Sequence, residues 1–105
     1  MIPKNMNEIM RQAQKMQNKM NELQEEMGKK EITASAGGGM VEATVNGKGD
    51  LIRLHMEKDV VDPQDREMLG DLIVAAVSEA QRQAKEAMQQ GINSITGGFN
   101  LPGMF

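Results

Sequence analysis

Cysteine, tryptophan and tyrosine are absent from this 105-residue chain, which has only two phenylalanines and one histidine. The lack of cysteine excludes disulfides, thiolate metal sites and thiol nucleophiles together, and fits a reducing compartment. The lack of aromatics leaves little bulk for a core. Only 39% of residues are hydrophobic, and eleven residues are methionine, whose adaptable side chains fill gaps well but fix geometry poorly. One domain with a modest core is expected at this length, and burial against a second copy is one way to complete it. No apolar run approaches a membrane span and the N-terminus lacks the apolar block of a signal peptide, so a soluble cytoplasmic protein without membrane contact is expected.

A basic excess is also missing. The net charge of −3 runs against a general nucleic-acid binder, which ordinarily carries cations to displace counterions from phosphate. The charge is unevenly spread, however: residues 1–21 carry +3 and residues 22–105 carry −6.

What is present is periodicity. Met6, Ile9, Ala13, Met16, Met20, Leu23 and Met27 are spaced 3, 4, 3, 4, 3, 4, the seam of a helix over residues 4–28 with Pro3 tolerated at its start and Gly28 as its stop. Lys4, Arg11, Lys15 and Lys19 fall on the opposite side, interrupted by Glu8, and form a basic stripe suited to an anion. At 1.5 Å per residue the helix reaches roughly 37 Å, so part of it is expected to project. Gln12, Gln14, Gln17, Asn18 and Asn21 keep its remaining surface polar.

Three short strands follow, at about 31–36, 40–46 and 51–58, each bounded by glycine. Val41, Ala43 and Val45 alternate with Glu42, Thr44 and Asn46, and Ile52, Leu54 and Met56 alternate with Arg53, His55 and Glu57. One face therefore packs and the other meets water or a partner. Gly37–Gly39 and Asn46-Gly47-Lys48-Gly49 suit tight hairpins, which predicts a three-stranded antiparallel meander with exposed edges that a second copy can pair. Asp62-Pro63 reads as N-cap and first residue of a second helix ending near Gln90 and Gly91. Its apolar face, Leu69, Leu72, Ile73, Ala76, Val77, Ala80, Ala84 and Ala87, turns small toward the C-terminus, and a methionine-rich helix is a suitable neighbour for it. Arg82 and Lys85 lie on its outer side, diluted by Glu79 and Glu86. The expected organisation is one domain over 1–92 and an irregular tail over 93–105, where Phe99, Leu101, Met104 and Phe105 offer an anchor to the body or to another chain.

The groups an enzyme needs are poorly represented. His55 sits alone in a strand on the polar face; Asp62, Asp65, Glu67 and Asp71 are explained by helix capping; Gly37–Gly39 has neither the Lys-Ser/Thr pair nor the following helix of a phosphate loop. No catalytic activity, metal, cofactor or small-molecule substrate is expected.

Four segments carry a resemblance: residues 10–17 (MRQAQKMQ), 36–41 (AGGGMV) with Asn46-Gly47 following, 68–76 (MLGDLIVAA) and 96–103 (TGGFNLPG). In this order and spacing, over nearly the whole chain, they resemble the YbaB/EbfC nucleoid-associated family. The resemblance implies an α/β (α+β) homodimer of α-β-β-β-α protomers, joined through the central strands with helices projecting like tweezers, that binds DNA in the bacterial cytoplasm and nucleoid. It supplies no catalytic residues and no contact motif to carry over. The candidate DNA-binding residues are therefore Lys4, Arg11, Lys15 and Lys19 on the first helix and Arg82 and Lys85 on the second, contacting phosphate with little sequence readout. The competing expectation is a protein-interaction module that docks a partner through the methionine-rich helix or the phenylalanine-containing tail.

Overall fold

The computed structural model describes residues 4–97, in the order α1 (Lys4–Lys29), β1 (Glu31–Ala36), β2 (Val41–Asn46), β3 (Leu51–Met56), a short 3-10 turn (Lys58–Val60) and α2 (Arg66–Gly97). The strands form an antiparallel sheet in the order β1-β2-β3, so the predicted meander is present. Together the elements make an elongated body of 74 × 23 × 17 Å.

The sheet's inner face and one stripe of α2 make the core. Ala76, Ala80 and Ala84, four residues apart, stack along one side of the helix and are fully or almost fully buried with Ala34, Val41, Ala43 and Val45. Small side chains on both surfaces bring helix axis and sheet close together. Val60, fully buried in the turn after β3, plugs the same cluster. The alanine face of α2 thus meets the sheet along Ala76, Ala80 and Ala84, and the methionine-rich helix meets α2 further on, where Leu23 sits over Gly91. A flat sheet of valine and alanine offers continuous contact to a small-residue stripe, which a second convex helix does not.

α1 reaches the body only near its C-terminal end. Leu23 and Met27 are buried, while Met6 and Ile9 stay 47 and 43% exposed, so the seam is structural at one end and open at the other. Met27 packs over Gly47, whose backbone N–H donates to the Met27 carbonyl at 2.7 Å. Leu23 packs over Gly91. This contact explains why α2 does not end near Gln90: Gly91 is a point of helix contact, and the helix continues six residues beyond it to Gly97. Residues 93–97 are accordingly helical; Phe99, Leu101, Met104 and Phe105 lie outside the described residues.

Three further boundaries differ from expectation. Met40 belongs to the β1–β2 turn, where Gly37, Gly38 and Gly39 all have positive φ, so β2 begins at Val41. β3 ends at Met56 because the chain turns into Lys58–Val60 to bury Val60. The cap of α2 is Asp65, whose carboxylate accepts from the Met68 N–H at 3.2 Å; Asp62 instead closes the preceding turn by accepting from the Gln64 N–H at 2.9 Å. A bulge opposite Thr44 and Val45 leaves Ile52 as an extra residue, with Leu51 facing Val45 and Arg53 facing Thr44.

The two contact glycines predict different outcomes on substitution by alanine. A Cβ at Gly47 would lie 2.7 Å from the Met27 carbonyl oxygen and 2.9 Å from its Cα, atoms that cannot move without shifting α1. Gly47→Ala is expected to cost about 1–3 kcal/mol in urea unfolding. At Gly91 the obstruction is a mobile Leu23 methyl group, at 2.6 Å, and the helix gains propensity. Gly91→Ala should change stability by less than about 1 kcal/mol.

Candidate nucleic-acid interface

The cations singled out in the sequence do not stand in equivalent electrostatic surroundings. Arg11 and Lys19 each lie beside a carboxylate on α1, Glu8 at 3.4 Å and Glu22 at 3.9 Å. Lys15, exposed between them, has no carboxylate within ion-pair distance among the described residues. Lys4 opens α1, and its side chain lies outside the described residues. The stripe therefore exists as a helical face, with its charge partly compensated.

Compensation is strongest on α2. The Arg82 guanidinium donates to both oxygens of Glu79, at 2.7 and 2.9 Å, and to Glu86 at 2.7 Å. The hydrogen bond from Arg82, followed by one from Gln83, holds the Glu79 carboxyl down at about 2, and the same contacts hold Arg82 above its ordinary range. Arg82 is thus committed to its own helix. Lys85, one turn further on, has no ion pair among the described residues and faces the β2–β3 hairpin across an open cleft.

Across that cleft stands Lys48, which its sequence context marks only as a turn residue. Its hairpin is braced by the Asn46 side-chain carbonyl, which accepts from the Lys48 and Asp50 N–H groups at 2.9 and 3.0 Å. The legible signal was the Asn46-Gly47-Lys48-Gly49 turn itself, which sets a cation at an exposed tip; its proximity to Lys85 depends on how α2 crosses the sheet.

The outer face of the sheet is polar. Thr33 and Thr44 share a 2.8 Å hydrogen bond, Arg53 donates to Glu31 at 2.6 Å, and His55 lies 3.4 Å from Glu57. Among the described residues no group of three or more His, Cys, Asp or Glu side chains is placed to hold a metal ion, and no helix is long and apolar enough to cross a membrane.

The outer edge differs from both faces. α2 lies over β1 and β2, and β3 extends past its cover, leaving Leu51, Ile52 and Met56 at 49, 45 and 37% exposure. An α-β-β-β-α body with a projecting, partly basic helix and an apolar open strand defines a small α/β protein with two surfaces its own fold leaves uncovered. Comparison with known proteins identifies it further: residues 3–99 match the model of the YbaB/EbfC DNA-binding family, and the chain belongs to that family. A nucleoid-associated protein of Clostridium novyi is 50% identical over 96% of this chain and 89% of its own length. One from Agathobacter rectalis is 52% identical over 93% and 87%, and one from Pelotomaculum thermopropionicum is 40% identical over the full length of both. The fold is shared with the crystal structure of an uncharacterized Helicobacter pylori protein, at a TM-score of 0.76 and 20% identity, covering 92% of this chain and all of that one.

The Glu79–Arg82 pair predicts a pH dependence. Because the folded carboxyl titrates at about 2 and the ordinary value is 4.5, the pair's stabilisation is complete above pH 4.5 and is lost as pH falls toward 2. Glu79→Gln should unfold at a slightly lower urea concentration than the parent at pH 7, with the gap closing by pH 2. Salt should narrow the pH 7 gap, since the pair is exposed.

Proposed function

We propose that this protein is a nucleoid-associated DNA-binding homodimer that contacts the phosphate backbone through the basic faces of its projecting helices, with little reading of base sequence. Membership of a DNA-binding family carries the reading, and the nucleoid-associated relatives support a place in the bacterial nucleoid. Lys15 is the strongest candidate on α1, because no carboxylate competes for it; Arg11 and Lys19 can exchange their glutamate partners for phosphate, and Lys4 extends the stripe toward the helix start. On α2, Lys85 is a better candidate than Arg82, which would have to leave three hydrogen bonds. A dimer presents the stripe twice, so one duplex can meet both copies. The open edge of β3 supports it, since a second copy would cover Leu51, Ile52 and Met56 and supply the strand edge with hydrogen-bond partners.

A second reading, a protein-docking module, is favoured by one observation: the exposed start of the α1 seam at Met6 and Ile9, with Met10 exposed beside it. Changing Met6 and Ile9 together to Gln separates the two. Loss of a co-purifying protein with DNA binding intact would favour docking.

Two measurements test the first reading. Duplex affinity should fall steeply between about 50 and 200 mM salt and weaken further when Arg11, Lys15 and Lys19 are changed together to Gln. Unchanged affinity in that variant removes the stripe from the mechanism. By sedimentation velocity the parent should have the mass of two chains, and the Ile52→Lys, Met56→Lys double variant the mass of one; a parent that sediments as a monomer overturns the dimer.

A further inference from the structure

We propose that the cleft between the β2–β3 hairpin and α2 seats a phosphodiester group of the nucleic-acid backbone between Lys48 and Lys85. This rests on the DNA-binding reading and assigns it a particular place. The cleft has a volume of about 380 Å³ and is lined by Gly47, Lys48, Gly49, Gln81, Lys85 and Met88 together with Gln89. It holds two cations and no carboxylate. Neither lysine has an ion-pair partner among the described residues, in contrast to Arg11, Lys19, Lys29, Arg53 and Arg82. Nearby anions are engaged elsewhere: Asp50 accepts from the Asn46 side chain at 3.2 Å, and Glu86 from Arg82.

The walls are fixed before any ligand arrives. Gln81 donates to the Gly49 carbonyl at 3.1 Å and ties the hairpin to α2. The Gly47 N–H ties the same hairpin to the end of α1, and the Asn46 side chain braces the turn. Gly47 and Gly49 add no side chains to the cleft, so a phosphate can enter between the hairpin and α2 without displacing protein, with Lys85 reaching it from α2 and the Lys48 side chain from its place over Gly28. Lys48 lies close over Gly28 in the last turn of α1, which places this contact at the root of the helix whose outer length carries Lys15. A backbone running along α1 would meet Lys15 on the projecting part and this lysine pair at the base.

The test uses the full chain and its Lys48→Gln, Lys85→Gln and double variants, with Lys48→Arg for charge retention and Lys58→Gln as an exposed control on the 3-10 turn. Anisotropy of a labelled duplex is followed from 50 to 200 mM salt. Each cleft substitution should weaken binding by about tenfold near 100 mM salt and lower the slope of log affinity against log salt by about one per protomer engaged. Lys48→Arg should stay near the parent, Lys58→Gln should change neither quantity, and all variants should melt like the parent. Amide spectra read the same site directly: duplex should shift Gly47, Lys48 and Gly49, and inorganic phosphate should do so only weakly. Parent binding that is steep in salt but unaffected in both glutamine variants overturns the cleft and leaves the DNA reading standing. No duplex binding by the parent overturns both. Saturable shifts with inorganic phosphate, with duplex affinity unaffected by the variants, identify a free-anion site and overturn the phosphodiester assignment.

Discussion

The contact between the alanine stripe of α2 and the valine-alanine face of β2 is the constraint on which the rest of this molecule depends. With almost no aromatic bulk available, close approach replaces large side chains, and Ala76, Ala80 and Ala84 against Val41, Ala43 and Val45 achieve that approach. The arrangement has room for two strands. Once α2 lies over β1 and β2, β3 keeps Leu51, Ile52 and Met56 exposed, and the methionine-rich helix meets α2 only near Gly91. An open sheet edge and a projecting arm are thus consequences of how a small core was closed.

The same geometry sorts the charges. Along a helix, oppositely charged residues three or four apart meet, so Glu8, Glu22, Glu79 and Glu86 partly neutralise the cations of their own helices. Cations that escape this are those whose neighbours one turn away are amides, such as Lys85 between Gln81 and Gln89, or those at a turn, such as Lys48. In this way an acidic protein keeps local positive sites on an otherwise negative surface.

The elements were readable because their signals are local. The 3, 4, 3, 4 spacing marks α1, the alternation at 41–46 marks β2, and the Asn-Gly turn marks the hairpin between β2 and β3. The departures arise where a local signal has two meanings. Gly91 reads as a helix terminator and serves instead as the flat spot on which Leu23 sits. Asp62 and Asp65 both read as caps, and burial of Val60 sets the chain path that gives the cap to Asp65. The alternation at 51–56 does not disclose the bulge that sets Ile52 apart, because a bulge depends on pairing with β2.

By itself the sequence determined the element order, the hairpins, the absence of thiol chemistry and the basic side of α1, since each follows from residues within a few positions of one another. Its segment pattern also carried the family. Tertiary structure decided which face of α2 meets the sheet, how much of the methionine seam stays uncovered, which cations keep their charge available, and that Lys48 stands across a cleft from Lys85. Those outcomes depend on distances between residues far apart in the chain, and such distances exist only after the helix has crossed the sheet.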